Sequence, residues 1–92
     1  MNKFEKVERL ALKYGAQAIR ISKKKHKKYD VLYNGNKWLS FGDSRYEDFL
    51  DHKDKKRRES YRKRSSKITN KAGKYTYLDP NYANYWSYNI LW

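Results

Sequence analysis

The stretch YDVLYNGNKWLSF, Tyr29 to Phe41, decides how this chain folds, because it reads as two strands doubled back on each other with two registers in competition. Asn34-Gly35 is a strong hairpin signal, since both residues tolerate positive φ. A two-residue turn there sets Val31 opposite Trp38 but leaves Asp30 facing Leu39, which mixes polar with apolar across the strands. A three-residue loop, Asn34 to Asn36, places Tyr29 opposite Phe41 and Val31 opposite Leu39 on one face, with Leu32 opposite Trp38 on the other. Apolar side chains then pair throughout, which favours the second register.

Upstream, Ile19 and Ile21 alternate with Arg20 and Ser22, so a strand from Ala18 is expected beside the hairpin, followed by a loop at KKKHKK. Before it, Phe4, Val7, Leu10, Ala11 and Tyr14 recur at helical spacing and stop at Gly15. This predicts an amphipathic helix over about Lys3 to Tyr14 that packs on the sheet.

Downstream, Ser44 followed three residues later by Glu47 has the form of a capping box and predicts a helix from near Arg45, with Tyr46, Phe49 and Leu50 on its apolar face. The pattern leaves open whether that helix runs on through His52 or breaks so that Asp54 caps a second helix to about Arg64; a break is preferred. The segment SSKITNKAGK has no apolar period, and residues 65–74 are expected to be flexible. Asp79-Pro80 reads as a helix start, with Asp as cap and Pro at the first helical position. The fold class expected is α+β: a small antiparallel hairpin or three-stranded sheet packed with an N-terminal helix, a basic helix and a short aromatic C-terminal helix, forming one small domain over residues 1–92.

In 92 residues the chain carries 23 Lys and Arg against 10 Asp and Glu, a net charge of +13. So much positive charge repels itself and favours association with polyanions. Cysteine is absent, which excludes disulfides and thiolate chemistry. With no apolar run of membrane-spanning length and no signal-peptide pattern, a soluble intracellular product is expected.

Catalysis finds little support. His26 stands in a lysine-rich loop without a second histidine near it. His52 lies between Asp51 and Asp54, the kind of flanking that orients a general base, but it lacks a nucleophile or metal partner. The four glycines are too scattered to cradle a phosphate. No enzyme activity, metal, cofactor or small-molecule substrate is expected.

The strongest signal is the run DHKDKKRRESYRKR, Asp51 to Arg64. Lys53, Lys55, Lys56, Arg57, Arg58, Arg62, Lys63 and Arg64 are the candidate residues for binding a partner or nucleic acid. On a helix, Lys55, Arg58 and Arg62 share one face, and Arg57, Tyr61 and Arg64 an adjoining one. No helix-turn-helix, zinc finger or zipper accompanies them, so DNA contacts would be directed to the backbone. Among the aromatics, Tyr29, Tyr33, Trp38 and Phe41 are expected to pack against the helices. Trp38, Tyr61, Trp86, Leu91 and Trp92 are the candidates for aromatic packing, or for an anchor docking into a neighbour.

The stretch FGDSRYEDFLDHKDKKRRESYRKR with the tail NYWSYNILW resembles a family of small basic proteins of large DNA viruses and crAss-like tailed phages. Their pattern is close to F-G-x-x-x-Y-x-x-[FY]-x-x-H-K-D-x-x-R-R-x-x-Y-x-x-R-H, with an aromatic Leu-Trp ending. Phe41, Gly42, Tyr46, Phe49, His52, Lys53, Asp54, Arg57, Arg58, Tyr61 and Arg64 match it, over roughly Tyr29 to Trp92. Ser65 departs from it, standing where the pattern has His. The resemblance implies an origin and no mechanism. It suggests a noncatalytic virion structural protein, an auxiliary or minor capsid protein attached through the basic helix to an acidic capsid surface and located in the host cytoplasm before assembly. The alternative is a nucleic-acid-binding protein without sequence preference that condenses or packages the viral genome. Capsid or other virion proteins, and DNA, are therefore the expected partners, with no membrane.

Overall fold

A computed structural model describes residues 2–92. Its element order is α1 (Lys3–Lys13), β1 (Ala18–Ile21), β2 (Lys27–Tyr33), β3 (Lys37–Asp43), α2 (Phe49–His52), α3 (Lys55–Ser65), a 3-10 turn (Thr76–Leu78), α4 (Ala83–Trp86) and a wider π-type turn (Ser87–Leu91). The fold is α+β, built on an antiparallel meander in the order β1-β2-β3. Among the described residues no helix is long and apolar enough to cross a membrane.

The hairpin takes the three-residue loop. Tyr29 pairs with Phe41, Val31 with Leu39 and Leu32 with Trp38. Asn34 and Gly35 both adopt positive φ, and the Gly35 amide donates to Gln17 Oε1 at 2.9 Å. Lys27 and Lys28 belong to β2 rather than to the loop before it.

Pairing of Ile19 with Val31 and of Tyr29 with Phe41 gathers the odd-numbered residues on one face. That face meets Val7 and Ala11 of α1 and Trp86, Ile90 and Leu91 near the C-terminus to form the core. α1 begins at the expected place, capped by Asn2, whose side chain accepts from the Glu5 amide.

Tyr29, Tyr33 and Phe41 take the packing role expected of them, with the Tyr33 ring 5.8 Å from Trp86. Trp38 does not pack on the helices. The register turns it to the opposite face, where the Arg20 guanidinium lies 4.0 Å over its ring. Arg20 also donates to Asp30 at 3.1 Å, and Ser40 donates to the other Asp30 oxygen at 2.6 Å. Burial alone would raise the Asp30 pKa, but the bonds from Ser40, Ser22 and Arg20 outweigh it and hold the carboxyl below its ordinary range.

The Ser44-Glu47 capping box does not form. α2 starts at Phe49, and the box is made by Asp48 and Asp51 instead. Asp43 holds both the backbone amide and the guanidinium of Arg45, so the chain is turned there. Asp48 is fixed from outside the helix by Lys28 at 2.6 Å and Lys3 at 3.0 Å. The break before α3 is present: Lys53 is left-handed at φ 55°, and the Asp54 side chain accepts from Lys56 and Arg57.

Asp79-Pro80 also starts no helix. Asp79 accepts from the Asn81 amide, and the Pro80 carbonyl accepts from the Trp86 indole at 2.8 Å, so α4 begins three residues after Pro80, at Ala83. Within residues 65–74 the chain makes a turn around Asn70, whose side chain accepts from the amides of Ala72 and Lys74, followed by a bridge between Thr69 and Tyr75.

Candidate functional site

α3 carries most of the candidate cations, and they do not all point the same way. Lys53, Lys55, Lys56, Arg57, Lys63 and Arg64 are exposed. Arg58 and Arg62 are drawn inward: their Nε atoms donate to the backbone oxygen of Trp92 at 2.6 and 3.1 Å. Their guanidinium groups lie 4.7 Å over Phe49 and 4.8 Å over Tyr88. The helix thus splits its charge, one face clamping the C-terminal segment and the other remaining open. Lys55, expected on the same face as Arg58 and Arg62, stays outside.

The aromatic residues near the C-terminus close the core. Trp86 and Leu91 are fully buried and leave nothing to insert into a neighbour. Trp92 is half-buried and stacks on Tyr61. Of the two roles weighed for these residues, packing and an anchor, Trp86, Leu91 and Trp92 take internal packing.

His52 is held differently from a general base. Its Nδ1 accepts from the Asp54 amide at 2.9 Å, and Nε2 is buried without a hydrogen-bond partner among the described residues. Asp51 turns to Lys3, and the Asp54 carboxylate caps α3, so neither flanking acid orients the imidazole.

Between α3 and the β3–α2 loop lies a cleft of about 600 Å³. Lys56, Arg57, Ser60, Tyr61 and Arg64 form one wall; Asp43, Tyr46, Glu47 and Asp48 form the other. Gly42, Leu91 and Trp92 contribute to its lining from β3 and the C-terminal segment. Gly42 has φ +81°, and a Cβ there would stand 2.9 Å from Leu91 Cδ1. Only a glycine lets β3 and Leu91 approach so closely.

The walls differ in charge after internal pairing. Asp43 is neutralised by Arg45, whose hydrogen bonds hold the carboxyl well below the usual range. Asp48 is neutralised by Lys3 and Lys28. Lys56, Arg57 and Arg64 form no ion pair among the described residues. The cleft therefore keeps an excess of unpaired positive charge, opposed by Glu47 alone.

The cleft itself was not foreseeable from the charge run. Tyr46, expected on the apolar face of a helix, lies outside any helix and is 67% exposed at its edge. The only sequence signal for Tyr46 is its place in the F-G-x-x-x-Y pattern.

Comparison with known families shows that a family described as of unknown function (DUF5754) matches residues 18–65, just over half of the chain, from β1 to the end of α3. No curated protein and no solved structure matches.

Proposed function

We propose, from the premise that this chain belongs to the DUF5754 family, that it is a noncatalytic nucleic-acid-binding protein that packages or condenses a viral genome within the virion. The observation that carries the reading is the sorting of charge. The ion-paired carboxylates are satisfied by Lys3, Arg20, Lys28 and Arg45, while α3, the 23–25 loop and the 67–74 turn present cations that have no acid partner among the described residues. Cations spread over several elements suit a polymer that passes around the protein, and contacts to phosphate need no sequence code. The viral setting comes from the resemblance in the basic stretch.

The test is binding to random-sequence DNA at two salt concentrations. With about six phosphate contacts, affinity should be submicromolar near 50 mM salt and fall about a thousandfold by 200 mM. Weak binding that ignores salt would remove the reading.

The mixed walls of the cleft favour a second reading, an auxiliary capsid protein. Glu47 opposite Arg57 and Arg64 gives the cleft both charge signs, which a protein segment of mixed charge would also complement. Stoichiometric capture by assembled capsids, with weak DNA binding, would select it.

A further inference from the structure

We propose that the cleft between α3 and the β3–α2 loop receives one unpaired nucleotide of a single-stranded nucleic acid, its phosphate held by Arg57 and Arg64 and its base stacked on Tyr46. This rests on the nucleic-acid reading above and adds to it a substrate class and a site.

Concavity is the first argument. A cleft of about 600 Å³ lies within the range of sites that enclose small ligands, roughly 300 to 1,000 Å³. A duplex keeps its bases stacked inside and offers only its outer backbone, so it can touch the exposed Lys55 and Lys63 but cannot place a base in the cleft. An unpaired strand can turn one out, and sequence-tolerant binding of such strands combines a cationic groove with aromatic platforms.

Tyr46 supplies the platform. It is a large ring, 67% exposed, on the wall that faces α3, and Arg45 at 5.8 Å is its cation neighbour. Arg57 and Arg64 stand seven residues apart, two helical turns, on the same side of α3 as Tyr61. Among the described residues their guanidinium groups form no ion pair or hydrogen bond, whereas those of Arg58 and Arg62 are committed to Trp92. That commitment, with the Asp54 cap, fixes α3 before any ligand arrives, which reduces the ordering cost of binding. Glu47 beside Tyr46 keeps phosphate off the loop wall and so orients the nucleotide, phosphate to α3 and base to the loop.

The experiment measures fluorescence anisotropy of labelled oligo(dT) and of a random duplex of equal length, at one salt concentration. Wild type should bind oligo(dT) more tightly than duplex. Tyr46→Ala should lose about tenfold on oligo(dT), the worth of one base stack, and nothing on duplex, while Tyr46→Phe keeps both. The pair Arg57→Gln with Arg64→Gln should weaken oligo(dT) more than Lys55→Gln with Lys63→Gln, although both remove the same charge. Equal losses from the two pairs, or a Tyr46→Ala variant indistinguishable from wild type, would overturn the site while leaving salt-dependent DNA binding intact. A wild type that binds neither strand overturns the site together with the nucleic-acid reading.

Discussion

The Trp92 indole lies flat on the Tyr61 phenol, ring centroids 4.3 Å apart and planes 9° from parallel. This stack joins the end of the described chain to the middle of α3, across from the clamp that Arg58 and Arg62 place on the Trp92 backbone oxygen. Burial at this junction pushes the Tyr61 phenol above its ordinary pKa. A double-mutant cycle of Tyr61→Leu and Trp92→Ala should return a coupling of about 0.5 to 1.5 kcal/mol. Removing residues 88–92 takes Ile90 and Leu91 out of the core, so circular dichroism should show lost structure and no cooperative melt. A folded truncation would mean that the segment only decorates the surface.

Arg58 and Arg62 should behave as structural residues. Each donates a charge-assisted hydrogen bond and covers an aromatic ring, so Arg58→Gln or Arg62→Gln should cost about 1 to 2 kcal/mol in urea unfolding. Because both bond the same oxygen, the double variant should cost less than the sum. Lys55→Gln, at an exposed position of the helix, should stay within about 0.5 kcal/mol of wild type.

The Arg20–Asp30–Ser40 group makes stability depend on acid. The Asp30 pKa is lower folded than unfolded, so its contribution is complete above the unfolded value of about 3.9 and is lost as pH falls through the folded value. The urea midpoint of wild type should therefore fall from about pH 5 towards pH 2, and Asp30→Asn should flatten part of that fall. Identical pH profiles would contradict this.

Gly42→Ala joins two penalties, a positive φ and a Cβ pressed against Leu91, which is itself buried and cannot swing aside. The loss should be at least about 2 kcal/mol, visible as a lower thermal midpoint. An unchanged midpoint would show that β3 can shift away.

The parts of the fold that were legible in the sequence are those decided by neighbours. Apolar pairing across Asn34–Asn36 selected the register, the spacing of Val7 and Ala11 marked α1, and Asp54 marked the start of α3. What was not legible depends on distant partners. Ser44-Glu47 and Asp48-Asp51 both have capping-box spacing, and the choice falls to Asp48 because Lys3 and Lys28 meet it from 45 and 20 residues away. The same holds for α3: its sequence shows a basic helix, but only the arrival of Trp92 separates Arg58 and Arg62 from Arg57 and Arg64. The Asp79-Pro80 start failed because the Trp86 indole claims the Pro80 carbonyl.

The hairpin loop bears on how the protein ages. Asn followed by Gly is the dipeptide most prone to deamidation, since the unhindered glycine nitrogen attacks the asparagine side chain to close a succinimide. Here that nitrogen is engaged with Gln17 Oε1, and Asn34 and Gly35 are both held at positive φ. The contact that ties the loop to the segment before β1 therefore also shields the chain from isomerisation at Asn34, and Gln17→Ala would convert a durable turn into a slow chemical clock.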